Sequence, residues 1–429
     1  MADAPDLAAA LIAENFSRDS GGVLQVGGLP LTDLAETFGT PLFVYDAATM
    51  RRTYRALCAA VASFAEVDFS VKASPNPAVI RVFREEGAGA EIASGAEFEA
   101  ALKAGVAPEK ILFAGPGKGA ADLDRVVAGN IGEIHLENRE EMVRVAAAAE
   151  RHGVTVRVAL RINPGATAQG GAMRMGGKPS PFGFDEEEME TAIDAVEAMP
   201  RLRLVGLHLF AGTQGLKAET LLGQWAYGLG LAARIAQRTG RALETIDLGG
   251  GLGIPYFSGE AALDLGAIRA GLPDLIATLR ADPRLAGARV VLEPGRYLAG
   301  SAGLYVARVL AVKDSRGSRF VITDGGMHHH LAASGNLGQI VKRDFPLAAV
   351  VEDPEAPRAA TAVVGPLCTP LDMLARAAPL PPLAEGDLVA VLQSGAYGLT
   401  ASPTGFLSHP TPAEVLVEGG RAEMIRARG

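Results

Sequence analysis

The chain has 429 residues, of which 48% are hydrophobic and 21% charged, and its formal charge is −9. That length exceeds one ordinary core, so two domains are expected. The acidic balance, with no local Lys/Arg cluster, leaves no electrostatic footprint for nucleic acid.

Two cysteines, Cys58 and Cys368, cannot make a disulfide framework, which points to a reducing compartment. The first residues carry acids early and lack a basic n-region, and they are too polar to span a membrane, so a cytoplasmic setting is expected.

Residues 22–45 read as β-like and are expected to join a later β domain. Eight short β-like runs then follow, at residues 67–72, 89–94, 110–115, 133–137, 155–162, 204–210, 245–248 and 289–293. Most are separated by stretches with apolar residues at helical spacing, such as 95–104 and 140–152. Strand–helix alternation implies parallel strands with right-handed crossovers. Eight units in about 250 residues match a closed (β/α)8 TIM barrel, with a doubly wound open sheet as the alternative.

The expected division is an N-terminal segment at 1–45, a barrel at 46–300 and an antiparallel β domain at 301–429. In that last part, 304–312 and 320–323 flank a polar turn at 314–318 and read as a hairpin. The β character continues at 362–368, 387–393, 413–417 and 423–427. Residues 346–357 and 377–382 read as surface loops.

Chemically capable residues gather where strands end. Lys72 closes the run Phe69-Ser70-Val71-Lys72-Ala73, where a lysine points into a site; its amine can condense with an aldehyde cofactor. Gly249, Gly250, Gly251 and Gly253 follow a strand and offer backbone N–H groups to a phosphate. A Rossmann reading fails because Ile254 stands where the third glycine belongs, and a nucleotide P-loop at Gly115-Pro116-Gly117-Lys118 fails because Gly119 follows the lysine.

Glu293 ends a strand before Pro294-Gly295; it could hold a pyridine nitrogen protonated or simply pair with Arg296. His208 could stack on a cofactor ring or be a satisfied core residue. Glu91 and Arg161 stand at strand ends, and for Arg161 a barrel ion pair competes with a cofactor or substrate contact.

Cys368 lies in Gly365-Pro366-Leu367-Cys368-Thr369-Pro370, where a thiol could protonate a carbanion or act as a small hydrophobe. Tyr397 could be a core aromatic or a hydroxyl donor. His328-His329-His330 invites a metal reading, but three successive strand residues alternate faces, and no metal is expected. An amine, a glycine loop, a carboxylate beside an arginine, and a thiol are the parts a pyridoxal phosphate enzyme needs.

At these residues the chain resembles the fold type III pyridoxal phosphate decarboxylases, the family of diaminopimelate, ornithine and arginine decarboxylases, over about residues 25–420. The resemblance implies an alanine-racemase-like barrel and a homodimer with shared active sites. It implies Lys72 as the cofactor lysine, Glu91-Ile92-Ala93-Ser94-Gly95-Ala96-Glu97 as the family's acidic segment, His208 as the ring-stacking histidine and Glu293 at the pyridine nitrogen. It places Gly249–Gly253 at the phosphate and Arg161 at the cofactor. Arg296, Asp372 and Tyr397 are expected at the substrate, Tyr397 also at the cofactor, and Cys368 as a catalytic thiol supplied across the dimer interface.

The substrate-distal half departs from the diaminopimelate enzymes. Thr369 stands where they carry glutamate, and Met327-His328-His329-His330 stands where they carry an arginine-proline stretch. Gly212-Thr213-Gln214 replaces a Gly-Ser-Gln that usually lies two residues nearer the histidine. These stretches, with Phe406-Leu407-Ser408-His409-Pro410-Thr411-Pro412, resemble the butirosin-pathway glutamyl-acyl-carrier-protein decarboxylase and exosortase-associated decarboxylases.

The resemblance therefore implies pyridoxal 5'-phosphate-dependent α-decarboxylation of an L-amino acid or of an aminoacyl group on an acyl carrier protein. Diaminopimelate decarboxylation, a fold type III racemase and a non-catalytic homologue are the alternatives.

Overall fold

A computed structural model describes residues 6–165 and 179–429. The chain divides into two compact units, one of residues 53–254 and 262–297, the other of residues 1–52, 255–261 and 298–429.

The first unit is an α/β barrel. Its parallel strands run in the order Glu66–Val67, Arg289–Leu292, Thr245–Asp247, Leu202–Leu209, Val156–Asn163, Glu133–Leu136, Ile111–Phe113, Ala90–Ile92 and Phe69–Ser70. The first and last of these are one stave interrupted at Asp68, so the circle closes. Asp68 N–H donates to Leu292 O at 2.9 Å, and Phe69 N–H to Gly89 O at 3.0 Å. All eight strand runs expected from the sequence form staves, and a closed barrel replaces the open-sheet alternative.

The staves are buried along nearly their whole length because helices cover their outer face and side chains fill the inside. The helices begin where the local chemistry tells them to. Asn76 caps Pro77–Glu85 by accepting from Ala78 N–H, with proline in the first turn. Ser94 caps Gly95–Lys103 by accepting from Glu97 N–H at 3.2 Å, while the Glu97 carboxylate accepts from Ala93 N–H at 2.6 Å. That reciprocal capping box fixes the chain just beyond Glu91.

The second unit is built on a sheet ordered Met373–Leu380, Ala359–Val364, Ser318–Thr323, Gly303–Ser315, Leu42–Asp46, Ala413–Glu418 and Arg421–Arg426. The expected hairpins are present, at Gly303–Ser315 with Ser318–Thr323 and at Ala413–Glu418 with Arg421–Arg426. Of residues 22–45, expected as β-like, Leu42–Asp46 joins this sheet and Leu24–Val26 lies in a separate three-stranded sheet, but Leu31–Phe38 is an α-helix, with buried Leu31, Leu34 and Ala35 at helical spacing.

Three further details differ from the expectation. The sheet is mixed, since Leu42–Asp46 pairs parallel with Ala413–Glu418, and Ser318–Thr323 with Ala359–Val364. Residues 377–382, expected as a loop, lie largely in the strand Met373–Leu380, whose alternating burial was hidden by the prolines at 379, 381 and 382. Residues 347–349 likewise form a short strand.

The core of this unit buries Leu24, Val26, Leu304, Val306, Val350 and Val415 essentially completely, under a helix at Leu7–Asn15. Each such side chain contributes about 1.5–3 kcal/mol of transfer free energy. Among the described residues no helix is long and apolar enough to cross a membrane.

Candidate active site

One end of the barrel collects the ionisable side chains. Strand Phe69–Ser70 ends in a single 3-10 turn, Val71–Ala73, so Lys72 sits just past the strand end as expected. Its Nζ lies 2.7 Å from Glu91 Oε2, and Ser70 Oγ donates to the same oxygen at 2.5 Å. Glu91 is 1% exposed, whereas the Lys72 side chain is 43% exposed. A buried carboxylate thus orients an amine that an incoming molecule can still reach.

Across the barrel, His208 Nε2 lies 3.3 Å from Glu293 Oε2, both side chains nearly inaccessible. His208 stands in register between Arg161 on one neighbouring strand and Asp247 on the other. Burial first, and then His135, pushes the His208 imidazole down to about 4, so it is neutral at pH 7. Burial opposes charge on Glu293, but the neighbouring His208 and Asp247 outweigh it and hold that carboxyl below its usual range. Asp247 is driven the other way, well up, by burial and by Glu293. Glu293 Oε1 is buried with no hydrogen-bond partner.

The loop at 249–253 follows strand Thr245–Asp247, and its glycines are dictated by crowding. A Cβ on Gly250 would meet Glu293 O at 2.4 Å, and one on Gly251, where φ is +89°, would meet Gly212 O at 2.6 Å. Glu293 N–H donates to Gly249 O at 2.9 Å, so the glycine loop and the carboxylate share one backbone frame.

Arg161 is a buried ion-pair member. Its Nη1 donates to Glu137 Oε1 at 2.7 Å, and its guanidinium lies over Phe182 at 5.0 Å. Glu137 also accepts from Gly115 N–H and Gly183 N–H. Lys118, whose P-loop reading failed, is wholly buried; its Nζ donates to Gly115 O at 2.6 Å, His135 O at 2.7 Å and Glu141 Oε1 at 3.0 Å. Arg296 begins the short helix Arg296–Ala299 directly after Glu293-Pro294-Gly295.

Cys368, Asp372 and Tyr397 belong to the β unit. Cys368 is exposed in the bend after strand Ala359–Val364. Asp372, expected at the substrate, is 2% exposed, and its two oxygens accept from Met327 N–H at 2.6 Å and Leu367 N–H at 2.9 Å. It thereby ties the Cys368 loop to the segment that leads into the three histidines. Tyr397 is half-buried at φ +54°, a left-handed conformation uncommon outside glycine. His328–His330 lie in a turn, not on a strand. The His328 and His329 rings pack together, centroids 3.6 Å apart, while His329 lies near Tyr305 Oη at 3.2 Å and His330 turns to Ser394 Oγ at 3.0 Å.

Sequence reading missed His135 and Asp247. Together with His208 and Glu293 they bring four ligand-type atoms within 4.8 Å of one another. The His135 and His208 rings are stacked, centroids 4.4 Å apart at 28°. Stacked rings send their in-plane lone pairs side by side and not toward one point, which suits ring packing better than ion coordination. The signal was available: in the parallel stave 133–136, polar Glu133 and His135 alternate where continuous apolar residues are the rule.

These residues fit pyridoxal phosphate. A reachable amine, a glycine loop at a strand end whose tight backbone course admits no side chain, and a buried carboxylate oxygen lacking a donor match what its aldehyde, phosphate and protonated ring nitrogen require.

Comparison with known proteins agrees. Residues 47–300 match the family model described as pyridoxal-dependent decarboxylase, pyridoxal binding domain. The chain is 40% identical over 402 residues to an L-glutamyl acyl-carrier-protein decarboxylase of Niallia circulans, covering 93% of this chain and 94% of that one. It is 32% identical over 411 residues to the diaminopimelate decarboxylase of Aquifex aeolicus, covering 95% and 93%. A solved Aquifex aeolicus structure superposes with a TM-score of 0.86 at 31% identity, covering 98% of this chain and 96% of that chain. The chain belongs to the pyridoxal-dependent decarboxylases, and its barrel carries their pyridoxal-binding domain.

Proposed function

We propose that Lys72 is the cofactor lysine and that the chain removes the α-carboxylate of an L-amino acid or an aminoacyl group. Pyridoxal phosphate, when bound, supplies an aldehyde for the substrate amine and an electron-accepting ring. Glu91 orients the Lys72 amine. The N–H groups of Gly249, Gly250, Gly251 and Gly253 would hold the phosphate, Arg161 would support the cofactor pocket through Glu137, and His208 would pack on the ring. Glu293 would accept a hydrogen bond from the ring nitrogen and favour its proton. Cys368 of a partner subunit gives a proton to the substrate Cα, while Arg296 and Tyr397 contact the substrate. The observation that carries this reading is Glu293 Oε1, a buried acceptor without a donor beside a phosphate-type glycine loop.

Two substrates are supported. Similarity to a diaminopimelate decarboxylase along 95% of this chain supports free diaminopimelate. A second reading, glutamate carried as a thioester on an acyl carrier protein, is favoured by the higher identity to the Niallia circulans enzyme and by Thr369 and His328–His330. Those neutral groups replace the charged residues that would read a free distal ammonium and carboxylate.

The test has two stages. The protein is loaded with pyridoxal phosphate, reduced with borohydride and peptide-mapped, and the label is expected on Lys72. Carbon dioxide release is then compared for free diaminopimelate, lysine, ornithine, glutamate and glutamyl-carrier protein. Efficient turnover of diaminopimelate removes the carrier reading; turnover of the tethered glutamyl group alone removes the other. Mixing Lys72→Ala with Cys368→Ser subunits should restore activity if active sites are shared, and leaves none if each subunit acts alone.

A further inference from the structure

The imidazole beneath His208 has no role so far. His135 is completely buried, with Nε2 3.4 Å from Glu133 Oε1 and 3.8 Å from Asp247 Oδ2. Neither ring nitrogen makes a well-directed hydrogen bond, so polar bonding does not explain why a histidine stands there. What the ring does have is a face-to-face neighbour: its stack on His208 is the closest aromatic packing of any barrel histidine among the described residues.

The surrounding barrel is shaped for that stack. His135 pairs across the sheet with Ala159, Ala159 with Gly206 and Gly206 with Thr245, so the two positions between His135 and Thr245 carry almost no side chain and leave room for the His208 ring two residues beyond Gly206. A Cβ on Gly206 would meet Thr245 O at 2.1 Å, so the space cannot be filled from that stave. From behind, the Lys118 ammonium holds the His135 carbonyl at 2.7 Å, and Glu141 holds Lys118. Backbone and ring of His135 are therefore both fixed, and the fixed ring sets the plane of His208.

We infer that His135 is a positioning residue for the cofactor: by stacking beneath His208 it holds that imidazole parallel to the bound pyridoxal ring. This rests on the cofactor placement proposed above.

The test uses the holoprotein and two variants, His135→Ala and His135→Phe. The readouts are the visible circular dichroism of the bound cofactor, which reports how rigidly the ring is held, and the pyridoxal phosphate dissociation constant. His135→Ala should weaken cofactor binding about two- to tenfold, the range for loss of one aromatic pair, and diminish the visible dichroism. His135→Phe, which keeps a ring, should restore both.

Wild-type values in the alanine variant, or equal damage in both variants, would overturn the inference. If His135→Ala does not fold, His135→Asn takes its place, since it removes the ring while keeping a polar side chain. A wild-type protein without any visible cofactor band would instead strike the cofactor placement itself.

Discussion

The Lys72 ammonium rests 2.7 Å from a Glu91 carboxylate oxygen that also receives the Ser70 hydroxyl. Two donors on one buried acceptor oxygen aim the lysine at a single direction, and the capping box at Ser94 and Glu97 keeps Glu91 from drifting. Charge-assisted contacts of this kind are roughly twice as strong as neutral ones. Replacing Glu91 by glutamine keeps an acceptor but removes the charge. Glu91→Gln should slow capture of pyridoxal phosphate about tenfold, read as the growth of the visible band after mixing. A rate equal to wild type would show that Glu91 does not orient the amine.

The glycine loop allows a second expectation. A methyl group on Gly250 would sit 2.4 Å from the Glu293 carbonyl, so the loop and the strand end must separate. Gly250→Ala should therefore weaken cofactor affinity at least tenfold while costing about 1–3 kcal/mol of stability. Equilibrium dialysis and urea unfolding separate the two. Unchanged affinity would remove this loop from the phosphate site.

Much of this was legible from residues alone, and for identifiable reasons. Most staves are short, largely apolar runs separated by helix-like stretches, and eight in a row leave few topologies open. Lys72, Glu91, His208 and Glu293 could be placed at one end because strand ends of a barrel share a face. Asp247 and His135 escaped notice because their importance lies in what they touch across the barrel, between strands about 110 residues apart in sequence. Arg161 was ambiguous for the same reason: only the fold reveals Glu137 against it. In the β unit, the prolines around 379 disguised a strand, and the role of Asp372 as a clamp depends on two backbone N–H groups that no sequence pattern displays.

That clamp makes a third prediction. Gly326 and Gly365 both press on the Asp372 carboxylate; a Cβ on either would come within 2.1 or 2.3 Å of it. Asp372→Ala leaves Met327 N–H and Leu367 N–H without their acceptor, at about 1–3 kcal/mol for each buried donor left unpaired. The loop carrying Cys368 should loosen. The expected result is a fall in turnover with little change in cofactor affinity, and faster reaction of Cys368 with a thiol reagent. Asp372→Asn, which keeps one acceptor oxygen, should recover part of both. Loss of cofactor affinity equal to the loss of turnover would count against a loop-specific effect.

The three successive histidines govern the response to acid. Burial, the leading cause in each case, pushes His328 down to about 4 and His329 and His330 down to about 3. In the unfolded chain a histidine titrates near 6.5. Between about pH 6.5 and 3 the unfolded state therefore binds protons that the folded state refuses, and stability falls as pH falls, by about 1.4 kcal/mol per pH unit for each histidine. Buried carboxyls oppose this. Asp68, raised to about 6 by burial, favours the folded state at low pH and loses that contribution as pH rises from about 4 to 6, and Asp247, driven well up by burial, acts in the same sense. His208, also pushed down to about 4, adds a fourth depressed histidine, so the histidines outnumber these two aspartates and the melting temperature should drop from pH 6.5 to pH 5. Replacing His330 with asparagine keeps a polar group facing Ser394 but removes one titration, so the variant should show a shallower slope whatever its stability at pH 7.5. Melting curves at pH 7.5, 6.5, 5.5 and 5.0 for both proteins decide the matter; parallel slopes would mean that acid unfolding is driven from elsewhere.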